Sequence, residues 1–221
     1  MSKEKAEVVL TLGGALPQRS DIRSVVAEAA YCIAADRGAD LARLCGRLPD
    51  HLIGDMDSVS AETLEWCAAA QVPRDDYETE KDYTDGEKAF ALGVEYALRH
   101  GYPRVFVVGG CGGRLDHTLA NLYLSKGALD KGVEVVFCND DSFIYMIKGY
   151  SCQKVELIHG KTVSLLAFAG EARGITLEGF YYPLREASLT FAETLGISNE
   201  LVSEEGTVTL RQGYLMVIQN R

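Results

Sequence analysis

Between Arg104 and Lys126 the chain reads RVFVVGGCGGRLDHTLANLYLSK, and this stretch decides the fold. The segment 104–110 is an apolar run that predicts a buried strand, and 116–126 predicts a helix. Strand, glycine-rich turn and helix in that order are typical of an α/β domain with parallel strands. Because ligands bind such domains outside the carboxyl ends of the strands, the turn is a candidate site.

The residues before this stretch repeat the same alternation of strand and helix. Apolar runs predict further strands at 7–14, 31–36, 51–55 and 133–139. Amphipathic or capped segments predict helices at 21–30, from Ala39, at 60–70 and at 82–100. The first part therefore predicts a Rossmann-like parallel sheet with helices on both faces, which we assign to residues 1–145.

The pattern changes after Asp141 to short strands of alternating apolar residues. Segments such as SFIYMIK, TVSLLAF, GITLEGF, TVTLR and YLMVIQ are separated by glycines about every ten residues. This spacing is typical of an antiparallel sandwich or barrel. The predicted fold class is therefore α/β, with an antiparallel β-sandwich at residues 146–221 as a second domain.

Charge and composition exclude several classes of function. The chain has 221 residues and a formal net charge of −10, whereas nucleic-acid binders usually present a basic face, so we expect no nucleic-acid partner. It contains no run of 18 apolar residues, and it begins with the charged sequence MSKEKAEVVL, which predicts a cytoplasmic protein without a membrane segment. Its six cysteines lack C-x-x-C spacing, so we expect no structural zinc and predict buried, reduced thiols.

The acidic residues are unevenly distributed along the chain. All 14 aspartates lie at or before Asp141; residues 1–141 carry a net charge of −9 and residues 142–221 a net charge of −1. Aspartate suits Mg²⁺ sites and loop ends, but it is also depleted in strand-rich segments. Both explanations place a domain boundary near 141–150.

Two pairs of aspartates are candidate metal ligands. Asp55 and Asp57 follow the strand at 51–55 and, two residues apart in an extended segment, point the same way. Asp82 and Asp85 stand three apart at a helix start, beside Lys81. Carboxylates on one side of the chain suit Mg²⁺ bound to phosphates. The alternative for both pairs is ordinary capping of a helix N-terminus.

The glycine-rich turn is the strongest local signal. Gly109, Gly110, Gly112 and Gly113 let backbone N–H groups approach a phosphate, and Arg114 can bind one in bidentate fashion. The turn lacks the Gly-Lys-Ser/Thr of a Walker loop, and a flexible strand–helix connection remains the alternative. For Asp116 and His117 the alternatives are helix capping, metal binding and proton transfer.

The predicted positions of these clusters, taken together, are stronger evidence for a binding site than any one cluster alone. Together with Asp36, which ends the strand at 31–36, they all fall at predicted strand ends on one rim of one sheet. Independent surface clusters would be scattered. Carboxylates, basic side chains and a glycine-rich turn on one rim predict a site for Mg²⁺ and a polyphosphate.

Six motifs follow one another along the chain: ADRGAD at 35–40, IGDMDSV at 53–59, KDYTDGEKA at 81–89, GGCGGRLDHTLANL at 109–122, ARGITLEGFYYPL at 172–184 and GISNE at 196–200. In these motifs and in their order the sequence resembles the bacterial thiamine pyrophosphokinases. The resemblance implies an ATP-binding α/β domain, a thiamine-binding β-sandwich and a homodimer with its active site at the interface. It implies transfer of pyrophosphate from ATP to thiamine, giving AMP and thiamine diphosphate.

The resemblance also implies roles for particular residues. Asp55, Asp57, Asp82 and Asp85 resemble the Mg²⁺ ligands, and Lys81 and Arg114 resemble catalytic groups that stabilise charge. The residues that resemble the nucleotide site are Asp36, Gly112, Gly113, Arg114, Asp116 and Asn121. Ser198 and Asn199 resemble the part of the sandwich that meets thiamine, although from the residues alone they predict a turn.

Two other functions would use the same residues. One is a Mg²⁺-dependent hydrolase of a nucleotide or sugar phosphate, and the other is a nucleotide sensor without turnover. The products formed from ATP and thiamine distinguish all three.

Overall fold

The computed structural model describes residues 8–76 and 83–221. The described residues form two compact units: the first contains those up to Val133 together with 137–140, and the second contains 134–136 and 141–221. The main division at Asp140 lies a few residues before the boundary expected at 145. Each unit is described by itself below.

The first unit alternates strands and helices. Its elements are β1 (Val8–Thr11), α1 (Ser20–Ala27), β2 (Tyr31–Ala35), α2 (Gly38–Leu44), β3 (His51–Gly54), α3 (Ala61–Ala69), β4 (Arg74–Asp76), α4 (Asp85–His100), β5 (Arg104–Val108) and α5 (Leu115–Asp130). Strand β6 (Glu134–Cys138) follows, with residues assigned to both units. The short polar strand β4 has no apolar pattern, and the sequence did not predict it.

The strands of the first unit form a parallel sheet. Its order is β4-β3-β2-β1-β5, and every one of these pairings is parallel. All four residues of β1 are buried, as expected for a central strand covered on both faces. Parallel pairing brings the carboxyl ends of β1, β2, β3 and β5 to one edge, and this edge carries the predicted site.

Local sequence fixes where the helices begin and end. Ser60 caps α3 by accepting a hydrogen bond from the backbone N–H of Thr63, and Thr84 caps α4 in the same way for Glu87. Helix α4 therefore starts at Asp85, and it ends at His100 because the left-handed backbone of Gly101 stops the helix. The sequence predicted a start at Asp82, which lies outside the described residues.

The second unit is antiparallel. Its elements are β7 (Ser142–Lys148), β8 (Ser151–Glu156), a 3₁₀ turn (Leu157–His159), β9 (Thr162–Glu178), β10 (Ala187–Leu189), β11 (Asn199–Glu200), β12 (Glu205–Leu210) and β13 (Gln212–Asn220). Strand β13 pairs with β7 and β9, and β12 pairs with β8 and β9. The two short strands β10 and β11 also pair with β9.

Strand β9 corrects the sequence prediction of two separate strands. The segments 162–168 and 174–178 belong to one strand of 17 residues, which continues through Ala169 and Gly170 with positive φ. Its amino-terminal half pairs with β13 and its carboxyl-terminal half with β12. Gly170, which predicted a break between strands, is instead an irregular position within one strand.

Two further predictions concern the cysteines and membrane-spanning segments. All six cysteines are free, but Cys152 is exposed and Cys45 and Cys111 are half-buried, so the expectation that all are buried was wrong. In the part of the chain that the structure describes, none of the helices combines the length and apolar character that crossing a bilayer requires.

Candidate active site

Two loops at the carboxyl edge of the parallel sheet are joined by backbone hydrogen bonds. The N–H of Gly14, after β1, donates to the carbonyl of Gly109, after β5, at 2.8 Å, and the N–H of Ala15 donates to the carbonyl of Cys111 at 3.3 Å. A Cβ on Gly14 would lie 2.3 Å from the Gly109 oxygen, so only glycine permits this approach. The two loops therefore form one continuous wall.

A cleft of about 810 Å³ opens against this wall. Its lining comes from the loop after β1, the end of β2, the start of α4 and the turn between β5 and α5. The predicted site residues that line it are Asp36, Asp85, Gly112, Gly113, Arg114 and Asn121. Three of the strand-end clusters predicted from the sequence thus share one cavity.

Asp36 and Asp85 form the acidic centre of the cleft. Asp36 has a left-handed backbone with φ of 43°, and its carboxylate lies where a Cβ on Gly54 would stand, 1.7 Å from Oδ1. The Met56 N–H donates to Asp36 Oδ1 at 3.4 Å. Burial, a hydrogen bond with Asp85 and repulsion from that carboxyl raise the pKa of Asp36 to about 7.

Asp55 and Asp57 stand beside this centre. The N–H of Asp57 donates to Asp55 Oδ1 at 3.1 Å, which folds the short segment after β3 into a turn. The negative charge of Asp55, and to a lesser extent that of Asp85, raises the pKa of Asp57, while Asp55 also acts on Asp36. Four aspartates from three chain segments therefore interact.

No group of three or more His, Cys, Asp or Glu side chains is arranged as a metal site within residues 8–76 and 83–221. The donor set is nevertheless suited to a hard cation, because the carboxylates of Asp55 and Asp85 are close enough to raise the pKa of Asp36 and of Asp57, and carboxylate oxygens are ligands that Mg²⁺ prefers. The predicted residues Lys81 and Asp82 lie outside the described residues, so their part in this set is a prediction only.

The basic and polar side chains at the glycine turn make different hydrogen bonds. Arg114 makes two hydrogen bonds to Asp116, from Nε at 3.2 Å and from Nη2 at 2.6 Å, and this pairing lowers the pKa of Asp116 to about 2. Asn121 donates from Nδ2 to the Gly110 carbonyl at 2.9 Å and so ties helix α5 to the glycine turn. Asp116 and Asn121 thus hold the turn and its arginine in place.

Ser198 and Asn199 lie in the second unit. Ser198 is exposed and has a left-handed backbone with φ of 59°, and its N–H donates to Ser164 Oγ at 3.0 Å. Asn199 is buried, and its side-chain amide is bonded to both the N–H and the carbonyl of Tyr182, at 3.0 and 2.7 Å. The structure thus gives Asn199 a bracing contact that the sequence did not reveal.

The sequence prediction missed several residues that line the cleft. They are Leu12, Gly13, Gly14, Ala15, Leu16, Gln18, Ala35, Arg37, Ser58, Tyr83, Thr84, Gly86 and Thr118. Arg37 had a signal, since it follows Asp36 directly. Leu16 and Gln18 had none, because their position depends on Asp140, which accepts hydrogen bonds from the backbone N–H groups of Gln18 and Arg19 at 2.8 and 3.1 Å.

Two family models match the two parts of the chain. One, described as "Thiamin pyrophosphokinase, catalytic domain", matches residues 22–137, and the other, "Thiamin pyrophosphokinase, vitamin B1 binding domain", matches residues 152–215. Together they cover well over half of the sequence. The chain therefore belongs to the thiamin pyrophosphokinase family.

Individual relatives support this membership. The chain is 28% identical over 213 residues to thiamine pyrophosphokinase of Bacillus subtilis (strain 168), a match that covers 96% of this chain and 97% of the relative. A crystal structure of thiamine pyrophosphokinase from Bacillus subtilis superimposes with a TM-score of 0.82 at 26% identity, covering 97% of this chain and 98% of the other. One from Geobacillus thermodenitrificans gives 0.75 at 26% identity, covering 97% of each chain.

Proposed function

We propose that the cleft of the first unit is where this chain carries out the reaction of its family, the transfer of pyrophosphate from ATP to thiamine. The single observation that carries this proposal is the meeting of Asp36, Asp55, Asp57 and Asp85 beside a glycine-lined cleft. A polyphosphate substrate with a divalent ion needs this combination. Family membership supplies the identity of the two substrates.

The glycine turn is the proposed binding place of the ATP phosphates. Gly112 and Gly113 both have positive φ, at 79° and 93°, and both line the cleft. They precede the N-terminus of α5, where unpaired N–H groups and the helix dipole favour anions. Arg114 at the same turn adds a guanidinium that can bind phosphate in bidentate fashion.

The aspartates are the proposed ligands of Mg²⁺. Asp55, Asp57 and Asp85, with Asp82 as predicted from the sequence, would hold the ion, and Asp36 would contact the same centre. When bound, Mg²⁺ neutralises the phosphate oxygens and the mutual repulsion of the carboxylates. A cation is the simplest way for so many acidic groups to remain ionised together near neutral pH.

The reaction itself requires alignment more than a covalent nucleophile. The hydroxyl group of thiamine gives its proton to an aspartate carboxylate, and its oxygen forms a bond to the β-phosphorus of ATP. The bond from that phosphorus to the oxygen shared with the α-phosphorus breaks. The two terminal phosphates move together, and AMP leaves with the bridging oxygen. The residues of the cleft hold the polyphosphate in line and offset its charge.

The second unit is the proposed thiamine-binding domain. The match of residues 152–215 to the vitamin B1 binding domain supports this role for residues 146–221, and residues 1–145 would then be the catalytic domain. We assign the contact with thiamine to the exposed Ser198, and the positioning of its loop to Asn199. We retain the finer description of a Rossmann-like domain followed by a β-sandwich as part of this proposal.

The proposal also includes the oligomeric state and the cellular location of the protein. The family resemblance suggests a homodimer with the active site at the subunit interface. Six free cysteines suit a reducing compartment, which supports a cytoplasmic location.

Product analysis tests the proposed function. The protein is incubated with Mg²⁺, ATP and thiamine, and AMP, ADP, phosphate and thiamine diphosphate are quantified over time. We expect AMP and thiamine diphosphate in equal amounts, with neither formed when thiamine is omitted. ADP as the stoichiometric product would reject pyrophosphate transfer, and phosphate release without thiamine would instead indicate a hydrolase.

A further inference from the structure

Arg37 occupies a position in the cleft to which the sequence assigned no role. It directly follows Asp36, precedes helix α2 and lines the cleft, and its side chain is exposed. It stands at the end of β2, on a different strand from the glycine turn that carries Arg114. The cleft therefore holds two arginines on separate elements.

The two arginines differ in how their charge is compensated. Arg114 is bonded twice to Asp116, so that pair is close to neutral. Within residues 8–76 and 83–221, the guanidinium of Arg37 makes neither a hydrogen bond nor an ion pair. The charge of Arg37 helps to lower the pKa of the nearby Asp40, but the hydrogen bonds to this carboxylate come from Ser60, which donates from Oγ at 2.5 Å and from its N–H at 3.2 Å.

The loop after β1 leaves space for the side chain of Arg37. A Cβ on Gly13 would lie 3.3 Å from the Cβ of Arg37, so the first carbon of the arginine passes directly over this glycine. Gly13 also lines the cleft, and its φ is not positive, so alanine is compatible with its backbone. A side chain at position 13 would therefore press against the Cβ of Arg37.

From this geometry we propose that Arg37 binds the polyphosphate of the nucleotide. The cleft contains an acidic cluster that repels phosphate, and Arg37 brings a positive charge without a bonded carboxylate to the same cavity. A guanidinium binds phosphate oxygens through charge-assisted, bidentate hydrogen bonds. The identity of the nucleotide as ATP rests on the proposed function, whereas the contact with phosphate rests on the geometry alone.

Nucleotide binding without thiamine tests this role. Dissociation constants for ATP with Mg²⁺, and for adenosine, are measured by calorimetry on wild type and Arg37→Gln. We expect Arg37→Gln to weaken ATP binding about 10- to 100-fold, the loss typical of a charged hydrogen bond, and to leave adenosine binding unchanged. Equal affinity of wild type and variant for ATP, or equal weakening of ATP and adenosine, would overturn the proposal.

Three further variants make the result specific. Arg37→Lys keeps the positive charge but lacks the planar guanidinium that makes two parallel hydrogen bonds, so we expect this variant to retain part of the ATP affinity. Gly13→Ala places a methyl group against the Cβ of Arg37 but keeps the guanidinium. It should therefore weaken ATP binding by a smaller factor than Arg37→Gln does. Arg43→Gln is the matched control: it removes an exposed arginine from helix α2, which Arg37 directly precedes. Arg43 pairs with Glu62 and does not line the cleft, so this variant should bind ATP as wild type does.

The same preparations separate this proposal from the proposed function. If wild type binds ATP and Arg37→Gln does not, but no thiamine-dependent AMP appears, the phosphate contact stands and the assignment of the reaction fails. If thiamine-dependent AMP forms equally well with wild type and Arg37→Gln at an ATP concentration below KM, the reaction stands and the role of Arg37 fails.

Discussion

Replacing Asp36 with asparagine should make the metal-free protein more stable at pH 8. In the wild type, Asp36 shares a hydrogen bond with Asp85, and at high pH both carboxyls are ionised at short range. The asparagine amide would keep the acceptor for the Met56 N–H and would offer Asp85 a donor instead of a like charge. Asparagine also tolerates the left-handed backbone at this position, where φ is 43°.

The size of the effect follows from linkage. A pKa raised from 3.8 to about 7 corresponds to about 4 kcal/mol for a carboxyl fully shielded from water. Because Asp36 is only half-buried, solvent screens the repulsion, and we expect about 1–2 kcal/mol. For a chain of this size that is a rise in Tm of roughly 2–8 °C.

The sign of the pH dependence is fixed by the direction of the shift. The pKa of Asp36 is higher in the folded protein than in the unfolded chain, so ionisation costs stability as the pH rises through the interval from about 4 to about 7. The advantage of Asp36→Asn should therefore be largest at pH 8 and disappear as the pH falls towards 4.

Thermal unfolding followed by circular dichroism in EDTA, at pH 4.5 and pH 8, measures this difference. Asp40→Asn is the matched control, because hydrogen bonds from Ser60 outweigh burial and lower the pKa of Asp40, so this variant should lose stability at pH 8. A lower Tm for Asp36→Asn at pH 8, or a gain that does not change with pH, would refute the repulsion between Asp36 and Asp85.

Three other substitutions test separate parts of the structure. Gly14→Ala places a Cβ 2.3 Å from the Gly109 oxygen, and we expect a loss of about 1–3 kcal/mol together with lower kcat, measured by denaturant unfolding and the AMP assay. Asn199→Ala removes a buried amide bonded twice to Tyr182 and should lower the free energy of unfolding by about 2–3 kcal/mol; an unchanged denaturation midpoint would contradict its bracing role. Ser198→Ala should raise KM for thiamine several-fold and leave KM for ATP unchanged, and a change in ATP affinity alone would remove Ser198 from the acceptor site.

The carboxylate centre could be predicted because strand ends are visible in the local sequence. Asp36, Asp55 and Asp57 each follow an apolar run, and parallel pairing brings the ends of such runs to one edge. Asp85 could be placed there because the capped start of a helix is also visible in the sequence. The repetition of strand and helix then predicted the parallel sheet.

Features that depend on contacts distant in sequence could not be predicted. The position of Leu16 and Gln18 in the cleft depends on Asp140, more than 120 residues away. The distinct role of Arg37 became visible only when Asp116 proved to be bonded to Arg114. Strand β9 was divided in the prediction because Gly170 resembles a turn residue, although pairing with β13, β10 and β12 on either side of it makes one strand.

Divalent-ion dependence of the reaction tests the central claim, that aspartates from separate chain segments bind one cation. Thiamine-dependent AMP formation is measured against Mg²⁺ concentration for wild type, Asp55→Asn and Asp57→Asn, with Asp130→Asn, whose carboxylate pairs with Lys126 near the far end of α5, as control. We predict that Asp55→Asn and Asp57→Asn each need at least about tenfold more Mg²⁺ for half-maximal activity and have a low turnover rate even at saturating Mg²⁺. Their Tm should change little, and Asp130→Asn should behave as wild type does. Wild-type turnover and wild-type Mg²⁺ dependence in both variants would contradict the account.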